Sequence, residues 1–105
     1  MINRVYTCNS DYVEGYGLAT YIVTTFGDNI SYMRLCDLGD EIQWSFDKKR
    51  LVSVQTYYTN SYTYVTLTFS FAGGNDAYEL AFEEEDMAEL FVHYCEGLIE
   101  RNARQ

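Results

Sequence analysis

The chain has 105 residues, 48% of them hydrophobic and 17% aromatic, which suits one domain with a real core and excludes a disordered polar tail. Sixteen acidic against seven basic residues give a formal charge of -9, so long-range electrostatics oppose nucleic acid and anionic lipid and favour a cationic or protein partner. Cys8, Cys36 and Cys95 are odd in number, widely spaced and form no C-x-x-C pair, which argues against a disulfide framework or a zinc site and predicts buried free thiols.

Residues 1–105 read as one domain without linker, repeat or low-complexity tract. Met1 to Tyr6 holds no apolar run resembling a signal peptide, and no segment approaches the ~20 apolar residues of a membrane span, so a cytoplasmic protein is expected. Arg4 to Cys8 is a short first strand, with Asn9-Ser10-Asp11 and Gly15-Tyr16-Gly17 as turn material. Leu18 to Phe26 is rich in Thr, Val, Ile and Tyr and stops at Gly27-Asp28-Asn29, a hairpin signal that pairs it with Ile30 to Cys36. After the turn Asp37-Leu38-Gly39-Asp40, Ile42, Trp44 and Phe46 alternate with polar residues, and Trp44 is expected in the core.

Asp47-Lys48-Lys49-Arg50 forms a charged turn before Leu51 to Tyr57, and Thr59-Asn60-Ser61 leads into the clearest strand. There Val65, Leu67, Phe69 and Phe71 share a core face, while Tyr62, Tyr64, Thr66, Thr68 and Ser70 share the opposite one. Gly73-Gly74-Asn75-Asp76 is expected to turn the chain into Ala77 to Glu83. A helix should begin near Glu84 to Asp86, where acidic residues complement its dipole; Met87, Leu90, Phe91, Tyr94 and Leu98 form the primary apolar stripe. Ala88, Val92, Cys95 and Ile99 form a neighbouring row that could serve as a second contact surface, and Arg101 and Arg104 suit the negative helix end. The fold class is α+β, mostly β, with about seven antiparallel strands followed by one C-terminal amphipathic helix.

This order, strongest from Leu51 to Asn102, resembles the pleckstrin-homology-like superfold. The resemblance implies a bent open barrel or roll of two sheets, capped at one end by the helix. Lipid-binding members hold phosphoinositides with basic residues in the first hairpin; the loop Asn9 to Tyr16 has Asp11 and Glu14 and no basic residue, so that role is not expected. Other members bind extended peptides beside the helix and a strand edge, which makes protein binding the better inference from the family.

Each candidate site has an ordinary reading beside it. Lys48-Lys49-Arg50 could contact an anion or simply be a solvated turn. Glu83 to Asp86 plus Glu89 could dock a basic partner or cation, or merely complement the helix dipole; the EF-hand spacing is absent. His93 is flanked at helical spacing by Glu89 and Glu96, but no nucleophile is tied to it, and a surface position is expected. Tyr57, Tyr58, Tyr62 and Tyr64 cluster around one hairpin, where outward tyrosines supply interface area at low entropic cost, or else form cross-strand pairs.

The expected function is a non-enzymatic module binding a protein partner through Tyr57, Tyr58, Tyr62, Tyr64, Glu84, Glu85, Glu89 and Val92. It needs no cofactor or metal, and neither membrane nor direct nucleic-acid binding is expected. Two alternatives stand: a small acidic inhibitor, of the kind phages and mobile elements encode, that mimics nucleic-acid charge on a nucleic-acid-binding protein; and a structural homo-oligomer or homodimer using Val92, Cys95 and Ile99.

Overall fold

The structure, a computed structural model, describes residues 4–104; Met1, Ile2 and Asn3, part of the stretch expected to carry no signal peptide, lie outside the described residues, as does Gln105. The alternating segments form β1 (Val5–Val13), β2 (Gly17–Thr24), β3 (Asn29–Cys36), β4 (Glu41–Asp47), β5 (Leu51–Tyr58), β6 (Thr63–Phe71) and β7 (Gly74–Phe82), and the last segment forms α1 (Glu85–Ala103). All pairings are antiparallel and follow chain order in two sheets, β1-β2-β3-β4 and β5-β6-β7, which do not close into one barrel. The strands-then-helix architecture expected from the sequence is the one observed. No helix among the described residues is long and apolar enough to cross a membrane.

The strand limits differ most from expectation in β1 and at the β6–β7 hairpin, each for a local reason. The register of β1 on β2 slips between Thr7 and Asn9, so Asn9-Ser10-Asp11, expected to turn, continues as paired strand. A bulge inserts one residue and breaks the two-residue alternation, which hides the second half of the strand from a periodicity reading. At the β6–β7 hairpin Phe71 pairs with Gly74, leaving Ala72-Gly73 as the turn; Asn75 and Asp76 are strand residues opposite Ser70 and Phe69. The charged segment after β4 is a 3-10 turn over Lys48–Arg50, started by the Asp47 carboxylate accepting from the Lys49 N–H at 2.8 Å.

The core lies between the sheets and α1. Val65, Leu67 and Phe69 of β6 and Leu80 and Phe82 of β7 meet Tyr6, Cys8, Val23 and Ile30 of the other sheet, and all are buried. Trp44 faces inward as expected but stays partly exposed, stacked between Tyr32 (5.6 Å) and Phe46 (5.5 Å) and set edge-on to Phe69 (5.7 Å). One flank is joined by the Glu83 N–H donating to the Cys8 carbonyl at 2.9 Å and the Asn9 amide donating to the Ala81 carbonyl at 2.7 Å.

The helix is rotated relative to the expected stripe. Its buried side chains are Ala88, Phe91, Tyr94, Cys95 and Leu98, whereas Leu90 is 49% exposed and Met87 half-buried. Phe91 sets the rotation, its ring lying 5.1 Å from that of Tyr6 and 5.8 Å from that of Phe82. The second row is therefore taken up by the fold: Ala88 and Cys95 are fully buried, and Val92 and Ile99 pack against the core.

Candidate functional site

The expected tyrosine cluster divides in two. Cross-strand partners share a sheet face, and the register pairs Tyr57 with Tyr64 and Tyr64 with Ala81, beside a row of Gln55, Thr66 and Glu79. Both rows lie opposite the buried face of Val65, Leu67 and Phe69, so they form the outer surface of the three-stranded sheet. The rings of Tyr57 and Tyr64 stack at 4.9 Å with planes 16° apart, and Tyr62 tilts against Tyr64 at 6.0 Å. Tyr58 pairs instead with Thr63 on the other face, at the strand end, and is 59% exposed.

Tyr57 is the anchor of this ladder. Its hydroxyl donates to Glu79 Oε2 at 2.7 Å, diagonally across β6, and this bond to a carboxylate holds the phenol pKa above its usual value near 10.0. The side chain is thus fixed at both ends while 48% of the residue's surface remains accessible. Tyr62 and Tyr64 are half-buried by their neighbours. Glu79 was not among the expected site residues; its outward position in the alternation of Tyr78, Leu80 and Phe82 was the available signal.

The acidic residues follow the same end of β7, where the chain passes from Phe82 into α1. Glu84, Glu85 and Glu89 are exposed, and Glu84, Glu85 and Asp86 line an open depression of about 320 Å³. Glu84 occupies the N-cap without a side-chain capping bond, while Glu83 Oε1 accepts the Ser10 N–H at 2.6 Å and so serves the junction between sheets. Val92, half-buried against the core, presents only part of its surface beside them.

The basic turn has structural duties. Lys48 donates to the Thr25 carbonyl and lies over the Tyr94 ring, and Arg50 donates to the Ser70 carbonyl at 3.2 Å over the Phe71 ring, so the basic turn braces the fold. His93 is exposed, in an open depression of about 350 Å³ with Asp86, Glu89 and Leu90. Among the described residues no group of three or more His, Cys, Asp or Glu could hold a metal ion. Cys8, Cys36 and Cys95 are free; Cys8 and Cys95 are buried, and burial pushes the Cys8 thiol up to about 12 and raises that of Cys95 as well.

Compared with known proteins, the chain matches no family model, no curated protein and no solved structure.

Proposed function

We propose that the chain is a non-enzymatic interaction module of pleckstrin-homology-like architecture that binds a protein partner through the tyrosine-lined outer face of β5-β6-β7. The division of the strands into four and three in chain order, followed by the packed helix, supports the architectural part. The observation that carries the functional part is the Tyr57–Tyr64 ladder, held to Glu79 and still accessible at Tyr57. An aromatic surface ordered before binding loses little side-chain entropy when a partner covers it, and tyrosine combines apolar area with a polar tip. Free thiols accord with a cytoplasmic location.

A second reading rests on the outer side of α1. Glu85, Glu89, Glu96 and Glu100 are all exposed, and they span ~22 Å along the axis at 1.5 Å per residue. Such a stripe could occupy a cationic nucleic-acid channel on a target protein, as charge complementarity requires. The two readings separate in one experiment: immobilised protein in lysate at low and high salt, beside a Tyr57→Ser, Tyr64→Ser double variant. Salt-resistant capture of a protein, lost in the double variant, supports the tyrosine face. Capture that ignores the variant but collapses with salt or added nucleic acid supports the acidic stripe and overturns the first reading.

A further inference from the structure

Towards the β3–β4 turn the outer face of the four-stranded sheet is apolar, whereas its other half carries Thr7, Thr24, Ser31 and Ser45 as a solvated sheet face normally does. The registers set Ile22 beside Met33 and Met33 beside Ile42, then Thr20 beside Leu35, then Tyr12 beside Leu18. All lie on the side opposite the inward Tyr21, Tyr32 and Trp44, whose rings stack toward the core; Ile22 is buried among its neighbours, and Met33 and Leu35 are half-buried. Ile42 is 57% exposed, Leu18 68%, Leu38 71% and Tyr12 72%, which places four large apolar side chains in water around one end of one sheet. Exposed apolar side chains gathered at one end of a sheet mark an interaction surface more often than scattered single residues do.

The same end carries a built feature. Leu18, Thr20 and Leu35 floor a depression of about 380 Å³ whose rim includes Asp37 and Asp40 from the turn between β3 and β4. Both aspartates are exposed, and among the described residues neither forms an ion pair or a side-chain hydrogen bond. The nearby cation, Arg34, is committed to Glu41 at 2.9 Å and stacks on Tyr16 at 4.6 Å, so it does not neutralise the rim.

An apolar floor under an anionic rim is complementary to a lysine or arginine side chain, whose aliphatic stem covers apolar surface while its charge reaches the carboxylates. A second copy of this chain fits poorly, since it would bring another -9 of charge against Asp37 and Asp40. We propose that this face docks a basic, leucine-like apolar segment of a protein partner, with one cationic side chain seated over Leu18 and Leu35 between Asp37 and Asp40. The surface belongs to the other sheet from the tyrosine ladder and stands independently of it.

The test uses three labelled nine-residue peptides, one alternating Leu and Lys, one alternating Leu and Glu, and one of Lys alone, titrated with the full chain by fluorescence anisotropy. The Leu-Lys peptide should bind more tightly than either of the others. Leu18→Ser, and separately the pair Asp37→Asn and Asp40→Asn, should each weaken it about fivefold or more, as loss of one or two partly exposed contacts implies. Glu96→Gln with Glu100→Gln removes equal charge from α1 and should leave binding within about twofold. All these positions are exposed, and matching thermal midpoints would show that the variants fold. Equal binding of the Lys-only peptide, or equal loss in the α1 variant, would reduce the effect to net charge and overturn the proposal. A concentration-dependent mass abolished by Leu18→Ser would assign the face to a second copy and overturn it too.

Discussion

Asn102, in the last turn of α1, donates its side-chain amide to the carbonyl of Leu51 at 3.1 Å, at the start of β5, and to that of Lys48 at 3.0 Å. One nitrogen thereby ties the end of the helix to the connection between the two sheets. Asn102→Ala leaves both carbonyls without this donor and should lower stability by about 1–2 kcal/mol, read as a lower urea midpoint at unchanged slope. Asn102→Asp sets a carboxylate against two carbonyl oxygens and should be worse than alanine. The reverse order would show that the amide is not the tether.

The rotation of α1 predicts opposite outcomes for adjacent leucine and phenylalanine. Phe91 is fully buried between Tyr6 and Phe82, so Phe91→Ala should cost about 3–5 kcal/mol through lost burial and an unfilled cavity. Leu90, half in water, should tolerate Gln within about 0.5 kcal/mol. Denaturant titration of the two variants checks this; similar losses would mean that the helix face lies where the spacing alone had put it.

That difference shows which parts of the fold are legible in the sequence. β6 alternates without interruption from Thr63 to Phe69, and its core face is readable because each buried residue lies two positions from the next. β1 is readable only as far as Cys8, where the bulge turns the alternation over. The helix could be located but not oriented, since the rings that orient Phe91 belong to Tyr6 and Phe82, outside the helix, and helical spacing carries no information about them. The tyrosine site was half legible for the same reason: Tyr57 and Tyr64 face each other across one hairpin, but Glu79 lies 22 residues from Tyr57 and reaches it only through the register of a third strand.

Thiol chemistry should separate the three cysteines. Cys36 is half-buried at the end of β3, with its Sγ 2.9 Å from the Gly39 carbonyl, whereas Cys8 and Cys95 are buried in the core. A water-soluble disulfide reagent should modify one thiol in the native protein and three in denaturant. The native reaction should vanish in Cys36→Ser. Rapid native modification of two or three thiols would show that the core opens far more readily than its packing implies.

The buried thiols also fix the sign of the alkaline response. Burial raises the Cys8 pKa from 9.0 in the open chain to about 12, and shifts Cys95 in the same direction. Between those limits the folded protein keeps protons that the unfolded chain has released; the unfolded state binds fewer, and stability falls as pH rises. Their contribution is complete below pH 9 and declines above it, alongside that of Tyr6 and Tyr32, whose phenols are also raised by burial. Cys95→Ala lowers stability at neutral pH by leaving a small cavity, yet it removes one of the titrating groups. Its alkaline decline should therefore be shallower than that of the unmodified chain, by up to ~1.4 kcal/mol per pH unit once the unfolded thiol is fully ionised. Unfolding free energies measured from pH 7.5 to 11 give both slopes, and parallel curves would mean that Cys95 ionises as easily in the fold as outside it.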